Sequence, residues 1–389
     1  MKISDVKTFI LRVPLGEKRF YSSQCAFPER SSMLVRIETD DGLIGWGEGG
    51  QYGPPQPVAS CIDSVLSPLI IGANAAQPVV IWEKLYAHVR DYGPRGPYIE
   101  AISAIDIALW DIFGKRLGVP LSNLLGGRQR ESIPAYATGG YYKQGYDKDY
   151  KKALLDLSHE VESFAESGFQ IMKVKIGLLS IEQDIERLQT IRRAAGPRIK
   201  LLVDSNHAYN AATAIHMGRR MEEFDIRWFE EPVVPEDRAG YRRVRESINI
   251  PVAGGECEYT RYGFRDLITG ECVDIAQPDI CVCGGLSEFI QIKALASSFG
   301  VWVIPHVWGS GVALATALHA LSTIPPFPHT ANPVPLQNEP VVEFDQSPNP
   351  LRDELLIDRI TLENSRVSVP AGPGLGIEID EAVLSRYMT

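Results

Sequence analysis

The sequence predicts an α/β chain in two parts: an α+β N-terminal domain over residues 1–130 and a closed parallel barrel over residues 131–350. Residues 351–389, which end in VSVPAGPGLGIEID and a short tail, are expected to return to the first domain. Three observations carry this. The chain changes rhythm near residue 130. Beyond that point short apolar runs alternate with polar-faced helical segments, which is the pattern of βαβ units on a parallel sheet. Eight such runs fall within about two hundred residues, close to the roughly 250 that an eight-stranded barrel typically needs.

The elements follow in order. MKISDVKTFILRVPL lacks the apolar core of a signal peptide and reads as a first strand. MLVRIETDDGLIGWGE reads as a β-hairpin, two alternating runs around Asp41-Gly42. A helical stretch is expected from about Gln56 to Arg90. A second spans Ala101 to Leu117 and stops at Gly118-Val119-Pro120. The expected barrel strands are Ile133–Thr138, Gln170–Ile176, Lys200–Asp204, Arg227–Glu230, Val252–Glu256, Val273–Gln277, Val301–Pro305 and Val341–Phe344. IEQDIERLQTIRRAAG and LSEFIQIKALASSFG are typical of the amphipathic helices between them.

Composition excludes several classes of function. Of 389 residues, 44% are hydrophobic and 23% charged, which is globular rather than disordered. No run of eighteen apolar residues occurs, so no membrane partner is expected. The net charge is −10 with no basic block, which argues against nucleic acid. Six cysteines are too few for a disulfide framework, and a reducing cytoplasm is the expected compartment. The Gly-rich GECVDIAQPDICVCGG fails the dinucleotide fingerprint in spacing and context.

In a barrel the reactive groups sit at the C-terminal ends of strands. Six consecutive strands end in an ionisable side chain: Lys173 and Lys175, Asp204, Glu230 with Glu231, Glu256, Asp279, and His306. Asp204, Glu230 and Glu256 are 26 residues apart each time, one βα unit, so their carboxylates converge. Three such groups in a semi-buried mouth repel unless a cation sits among them. Carboxylate-only ligation points to Mg²⁺. Lys173 and Lys175 share one face of their strand, and their crowding is expected to lower both pKa values, leaving a neutral amine as a base. Asp279 and His306 end adjacent strands, where a carboxylate behind an imidazole fixes its tautomer and raises its basicity. Such a site suits a substrate with an acidic C–H next to a carboxylate. The proton then either returns to the other face or a β-oxygen leaves. His207, in DSNHAY, either lines the site or caps the next helix, and Asn206 is expected behind the metal ligands.

At these residues the chain resembles the enolase superfamily, mandelate racemase subgroup, over nearly its whole length. KVKIG, the three spaced carboxylates, Asp279 with His306, and ALWDIFGKRLGVPLSNLLGG carry the resemblance. EEPVVPE, VAGGE, RYG, PDICVCGG and PHVWGSG resemble, more narrowly, D-galactarolactone cycloisomerases, although sugar-acid dehydratases share many of these phrases. Lys or His bases beside Mg²⁺ are the general pattern of that superfamily, and the pairing here is taken from it. The resemblance implies a (β/α)7β modified TIM barrel under a capping domain. It implies a lid from Tyr21–Arg30 and Gly49–Pro55, with Tyr21 and Arg30 touching substrate. It also implies Mg²⁺-dependent α-proton removal from a sugar acid or lactone to a metal-stabilised enediolate, then β-elimination. The alternative is an α-hydroxyacid racemase or epimerase. The subgroup often carries a Glu on the eighth strand about twenty residues after the His, but IPPFPHTANP stands there, so Glu343 is the candidate after an insertion. The expected partners are a small-molecule sugar acid or lactone and further copies of this chain.

Overall fold

The computed structural model describes residues 1–50, 53–334 and 337–389. The N-terminal part is built on β1 (Ile3–Pro14), β4 (Glu29–Thr39) and β5 (Ile44–Gly49), an antiparallel sheet in the order β1-β4-β5. The hairpin between β4 and β5 turns where expected, with Gly42 at φ +83°. Two short strands, β2 (Phe20–Tyr21) and β3 (Ala26–Phe27), pair between β1 and β4.

Of the helix expected from Gln56 to Arg90, α1 (Gln56–Cys61) runs through a π-helical turn at Ile62–Leu66 into α2 (Ser67–Ile70), and one break then separates it from α3 (Pro78–Val89). The cause is local. Gly72 turns the chain at φ +79°, Asn74 bridges back to Lys2, and Pro78 restarts the helix at its first position, where its missing N–H costs nothing. The next helix, α4 (Pro97–Leu117), is capped by Gly118 in the left-handed region, as the sequence predicts. It lies so close to β5 that a Cβ on Gly47 would come within 1.9 Å of the Ala104 carbonyl oxygen. A short α5 (Leu121–Leu124) leads into the barrel.

All eight expected barrel strands form. They are β6 (Ser132–Gly139), β8 (Ile171–Lys175), β9 (Lys200–Asp204), β10 (Ile226–Glu230), β11 (Val252–Gly254), β12 (Ile275–Ala276), β13 (Trp302–Val303) and β14 (Val342–Asp345), with a short β7 (Tyr142–Lys143) after the first. They run parallel in the order β14-β6-β8-β9-β10-β11-β12-β13. Seven helices fill the crossovers: α6 (Tyr150–Glu166), α7 (Ile181–Ala195), α8 (Ala211–Met221), α9 (Arg238–Ser247), α10 (Thr260–Thr269), α11 (Gly285–Ser298) and α12 (Gly311–Ser322). This is the (β/α)7β arrangement. Side-chain alternation divides the strands between two cores. Met172 and Val174 of β8 pack outward with the helices, whereas Ile171 joins Tyr136, Leu202, Trp228 and Ile304 in an apolar barrel floor.

The chain ends with α13 (Pro350–Asp353), β15 (Leu362–Glu363), β16 (Arg366–Ser368) and α14 (Glu381–Tyr387). β16 pairs antiparallel with the start of β6, and the Thr389 N–H donates to the Ile10 carbonyl of β1. Among the described residues no helix is long and apolar enough to cross a membrane.

Candidate active site

The apolar floor ends one residue pair below the strand tips, and the next inward positions are almost all charged. Register places them side by side: Lys175 lies opposite Asp204 across β8–β9, and Asp204 opposite Glu230 across β9–β10. Lys173, Asp204, Glu230, Glu256, Asp279, His306 and Glu343 are all buried. One carboxylate oxygen from each of Asp204, Glu230 and Glu256 lies within 4.8 Å of the others. Hard oxygen donors at this spacing fit a magnesium ion.

The surrounding groups hold these carboxylates in place. Lys173 Nζ donates to Glu230 Oε1 at 2.6 Å and lies 2.9 Å from Glu343 Oε1. Lys175 Nζ bonds to Asp204 Oδ2. Trp228 Nε1 and Gln277 Nε2 donate to Glu230 Oε2 at 2.9 and 2.8 Å. The Asn206 backbone N–H donates to Asp204 Oδ1 at 2.8 Å, so that residue supports the cluster through its main chain. His306 Nδ1 sits 2.7 Å from Asp279 Oδ2, the expected dyad, and its Nε2 is 3.6 Å from Glu256. Lys175 thus lies against the Asp204 end of the cluster and His306 against the Glu256 end.

With the bare carboxylates facing them, crowding does not depress the two lysines. Burial alone would lower Lys173, but Glu230, Glu343, Tyr136 and Asp204 carry it well above its ordinary value. Burial would likewise lower Lys175, and Asp204 above all reverses it. Each lysine faces several buried carboxylates and only one other ammonium, so attraction wins. His306 is raised to about 10 because Glu256, Glu343 and Asp279 outweigh its burial. Glu256, pushed up by burial and by Glu231, reaches about 8, while Glu343, beside Lys173 and His306, falls to about 2 despite its burial.

The remaining candidates divide. Glu343 is in the barrel: its Oε1 accepts from Thr138 Oγ1 at 2.5 Å and its Oε2 lies 3.7 Å from His306 Nε2. His207 does not cap the next helix, since Asn210 does. It lies 2.6 Å from Glu231 Oε1 instead. Tyr21 pairs with Tyr142 through the β2–β7 ladder and packs on Tyr146. Arg30 is not on a free lid. It is 3% exposed, bonded to Asp345 and Ser347, with its guanidinium 3.8 Å from the Trp308 ring centroid. The segment Tyr21–Arg30, expected as a lid, is tied to the loop after β9 by Ser23, whose hydroxyl donates to the Ser205 carbonyl at 2.6 Å. In the second lid segment, Gln51 and Tyr52 lie outside the described residues. The sequence reading missed Gln277, although its place two residues before Asp279 puts both on the inward face. It also missed Thr138, Ser23 and Trp308, which carry no charge signal.

Comparison with known proteins agrees with this geometry. Residues 6–126 match the mandelate racemase/muconate lactonizing enzyme N-terminal domain, and residues 156–383 match an enolase C-terminal domain-like model. The chain is 43% identical over 387 residues to a D-galactarolactone cycloisomerase of Agrobacterium fabrum, covering 100% of this chain and 99% of the relative. It is 37% identical over 388 residues to an arabinonate dehydratase of Saccharolobus solfataricus, covering 99% of each. Among solved structures it is similar to a racemase from Streptomyces coelicolor A3(2) with bound magnesium, at TM-score 0.86 and 28% identity over 100% of both chains.

Proposed function

This chain belongs to the mandelate racemase/muconate lactonizing enzyme family of the enolase superfamily, and we propose that it is a Mg²⁺-dependent cycloisomerase of sugar-acid lactones. The observation that carries the proposal is that Lys175 and the Asp279–His306 pair lie at opposite ends of a three-carboxylate cluster. The full-length similarity to a galactarolactone cycloisomerase supports the substrate class. Dehydration of the open sugar acid is the second reading, favoured by the similarity to an arabinonate dehydratase. Neither of these two relatives is named as a racemase.

Asp204, Glu230 and Glu256 would hold the magnesium ion, which when bound supplies Lewis-acid charge at the oxygens of the substrate carboxylate. Asp204, when it ligates the ion, would loosen its hold on the Lys175 ammonium group, and Lys175 would then serve as a base. Asp279 fixes the His306 ring so that Nε2 faces the cluster. One of these two groups takes the α-proton, and the C–H electron pair forms an enediolate. That pair then expels the β-oxygen, which the other group protonates where a hydroxyl leaves. In a lactone the leaving group is the ring carboxylate, so no water is lost. The enol finally takes a proton at carbon, in the lactone reaction from that second group, to give a 2-keto acid. Lys173 stays charged between Glu230 and Glu343 and holds a substrate carboxylate oxygen. We place the enzyme in the cytoplasm, with a sugar acid or lactone as its partner and further copies of itself in the assembly.

The test is a panel of aldonic and aldaric acids and their lactones, assayed for keto product with Mg²⁺. A product of unchanged mass from a lactone supports cycloisomerisation, and a mass lower by one water selects the dehydratase reading. Chelation should abolish turnover, Mg²⁺ should restore it, and Glu230→Gln should be folded but inactive. Full activity in the chelated enzyme refutes the metal assignment.

A further inference from the structure

The residues just after the three carboxylates form a second cluster. His207, Glu231 and Cys257 follow Asp204, Glu230 and Glu256 by three, one and one positions. They offer an imidazole nitrogen, a carboxylate oxygen and a thiol sulfur that all lie within 4.8 Å of one another. Glu231 follows the last residue of β10 and turns out of the strand in the left-handed region, at φ +48°. A small cavity is lined by Glu231, Tyr241, Gly255 and Cys257.

A second observation points to a ligand. Glu231 is 1% exposed. His207 Nε2 lies 2.6 Å from its Oε1, and neither that nitrogen nor Glu231 Oε2 has a hydrogen-bond partner among the described residues. A buried carboxylate oxygen without a donor is costly and calls for an explanation. Tyr241, on the same cavity, is not among the donors to it. The loop is also held for the purpose of close approach: the His207 N–H donates to the Glu231 carbonyl at 3.0 Å, and the Ser205 hydroxyl donates to the same oxygen at 2.9 Å.

We propose that His207, Glu231 and Cys257 form a second metal site, for a borderline divalent transition ion of the zinc class, directly behind the carboxylate cluster. The donor set decides the ion. Nitrogen, sulfur and oxygen from three side chains with a fourth position for water are typical of Zn²⁺, whereas Mg²⁺ takes oxygen. The two clusters therefore select different ions although their ligands are sequence neighbours. Metal binding would take the place of the close His207–Glu231 approach, release the Cys257 thiol proton to solvent and tie the loop after β9 to the ends of β10 and β11. That loop carries the Asn206 N–H that orients Asp204.

The probe is Co²⁺, added to chelated and dialysed full-length protein held in excess Mg²⁺. A thiolate-to-cobalt absorption band in the near ultraviolet should grow to one equivalent, and one equivalent of Zn²⁺ should erase it. Carboxylates alone give no such band, so the signal separates this site from the magnesium site. Cys257→Ser should remove the band. His207→Gln should weaken cobalt binding at least about tenfold, a loss that even outer partners of a metal site produce. No band in the wild type, or a band that survives in Cys257→Ser, overturns the proposal. If Cys257→Ser does not fold, the His207→Gln titration decides, and a midpoint equal to the wild type overturns it.

Discussion

Replacing Arg30 with methionine separates a structural arginine from a substrate-binding one. The side chain is 3% exposed and its partner Asp345 is equally sheltered. It joins strand β4 of the N-terminal domain to the end of barrel strand β14, since its Nε also donates to the Pro348 carbonyl at 3.0 Å. Removing one member of a buried pair leaves the other charge uncompensated, at about 3–5 kcal/mol. Here the lower end applies, because Ser347 still donates to Asp345 and Arg352 remains 3.9 Å away. Unfolding entropy of about 2.1 cal/mol/K per residue over 389 residues converts about 3 kcal/mol into a fall of about 4 °C in Tm. The measurement is thermal unfolding of Arg30→Met, Asp345→Asn and the double variant. The double variant should regain more than half the loss, because no buried charge is then left alone. A Tm for Arg30→Met within about 1 °C of wild type would refute the pairing and restore Arg30 to the lid.

Two further predictions concern histidines. Asp279→Asn should leave the fold intact and lower turnover by about 10⁴, the loss that the same change behind a triad histidine produces. A loss below about tenfold would mean that the carboxylate 2.7 Å from His306 Nδ1 does not prepare it. His319 is buried and depressed to about 4, chiefly by burial; its Nδ1 accepts from the Ser122 N–H at 3.2 Å and its Nε2 faces the Leu375 carbonyl at 3.0 Å. The folded pKa lies below the unfolded one, so the unfolded chain binds the proton first. This histidine's contribution is complete above about pH 6.5 and is lost as pH falls towards about 4, a change of about 3 kcal/mol. Denaturant titrations of wild type and His319→Gln across that window should show the variant with the flatter slope, and identical slopes would contradict the assignment.

The barrel and the charged ends of its strands were legible because both depend on local pattern. Strand alternation and the 26-residue spacing are enough to bring Asp204, Glu230 and Glu256 together. Strand lengths were less legible: β12 forms a ladder over two residues where five were expected, because the strand tips leave the ladder as they turn into the mouth. The charge state of Lys173 was illegible for a different reason. Its sign depends on how many carboxylates reach it, and Glu343 arrives from 170 positions along the chain. The burial of Arg30 was illegible likewise, since Trp308, Asp345 and Ser347 are distant in sequence. His207 reads as a helix cap by type and position, but Asn210 stands nearer the helix start and takes that role.

The division of labour between Lys175 and His306 is the central claim, and isotope exchange tests it. Lys175→Ala and His306→Asn are incubated separately with substrate, Mg²⁺ and deuterated buffer, and deuterium uptake at the α-carbon is followed beside keto product. The account predicts an asymmetry. The variant lacking the base loses both signals together. The variant lacking the acid keeps part of the exchange while product formation collapses. Wild-type turnover in both variants, or equal partial loss of both signals in both, would contradict it.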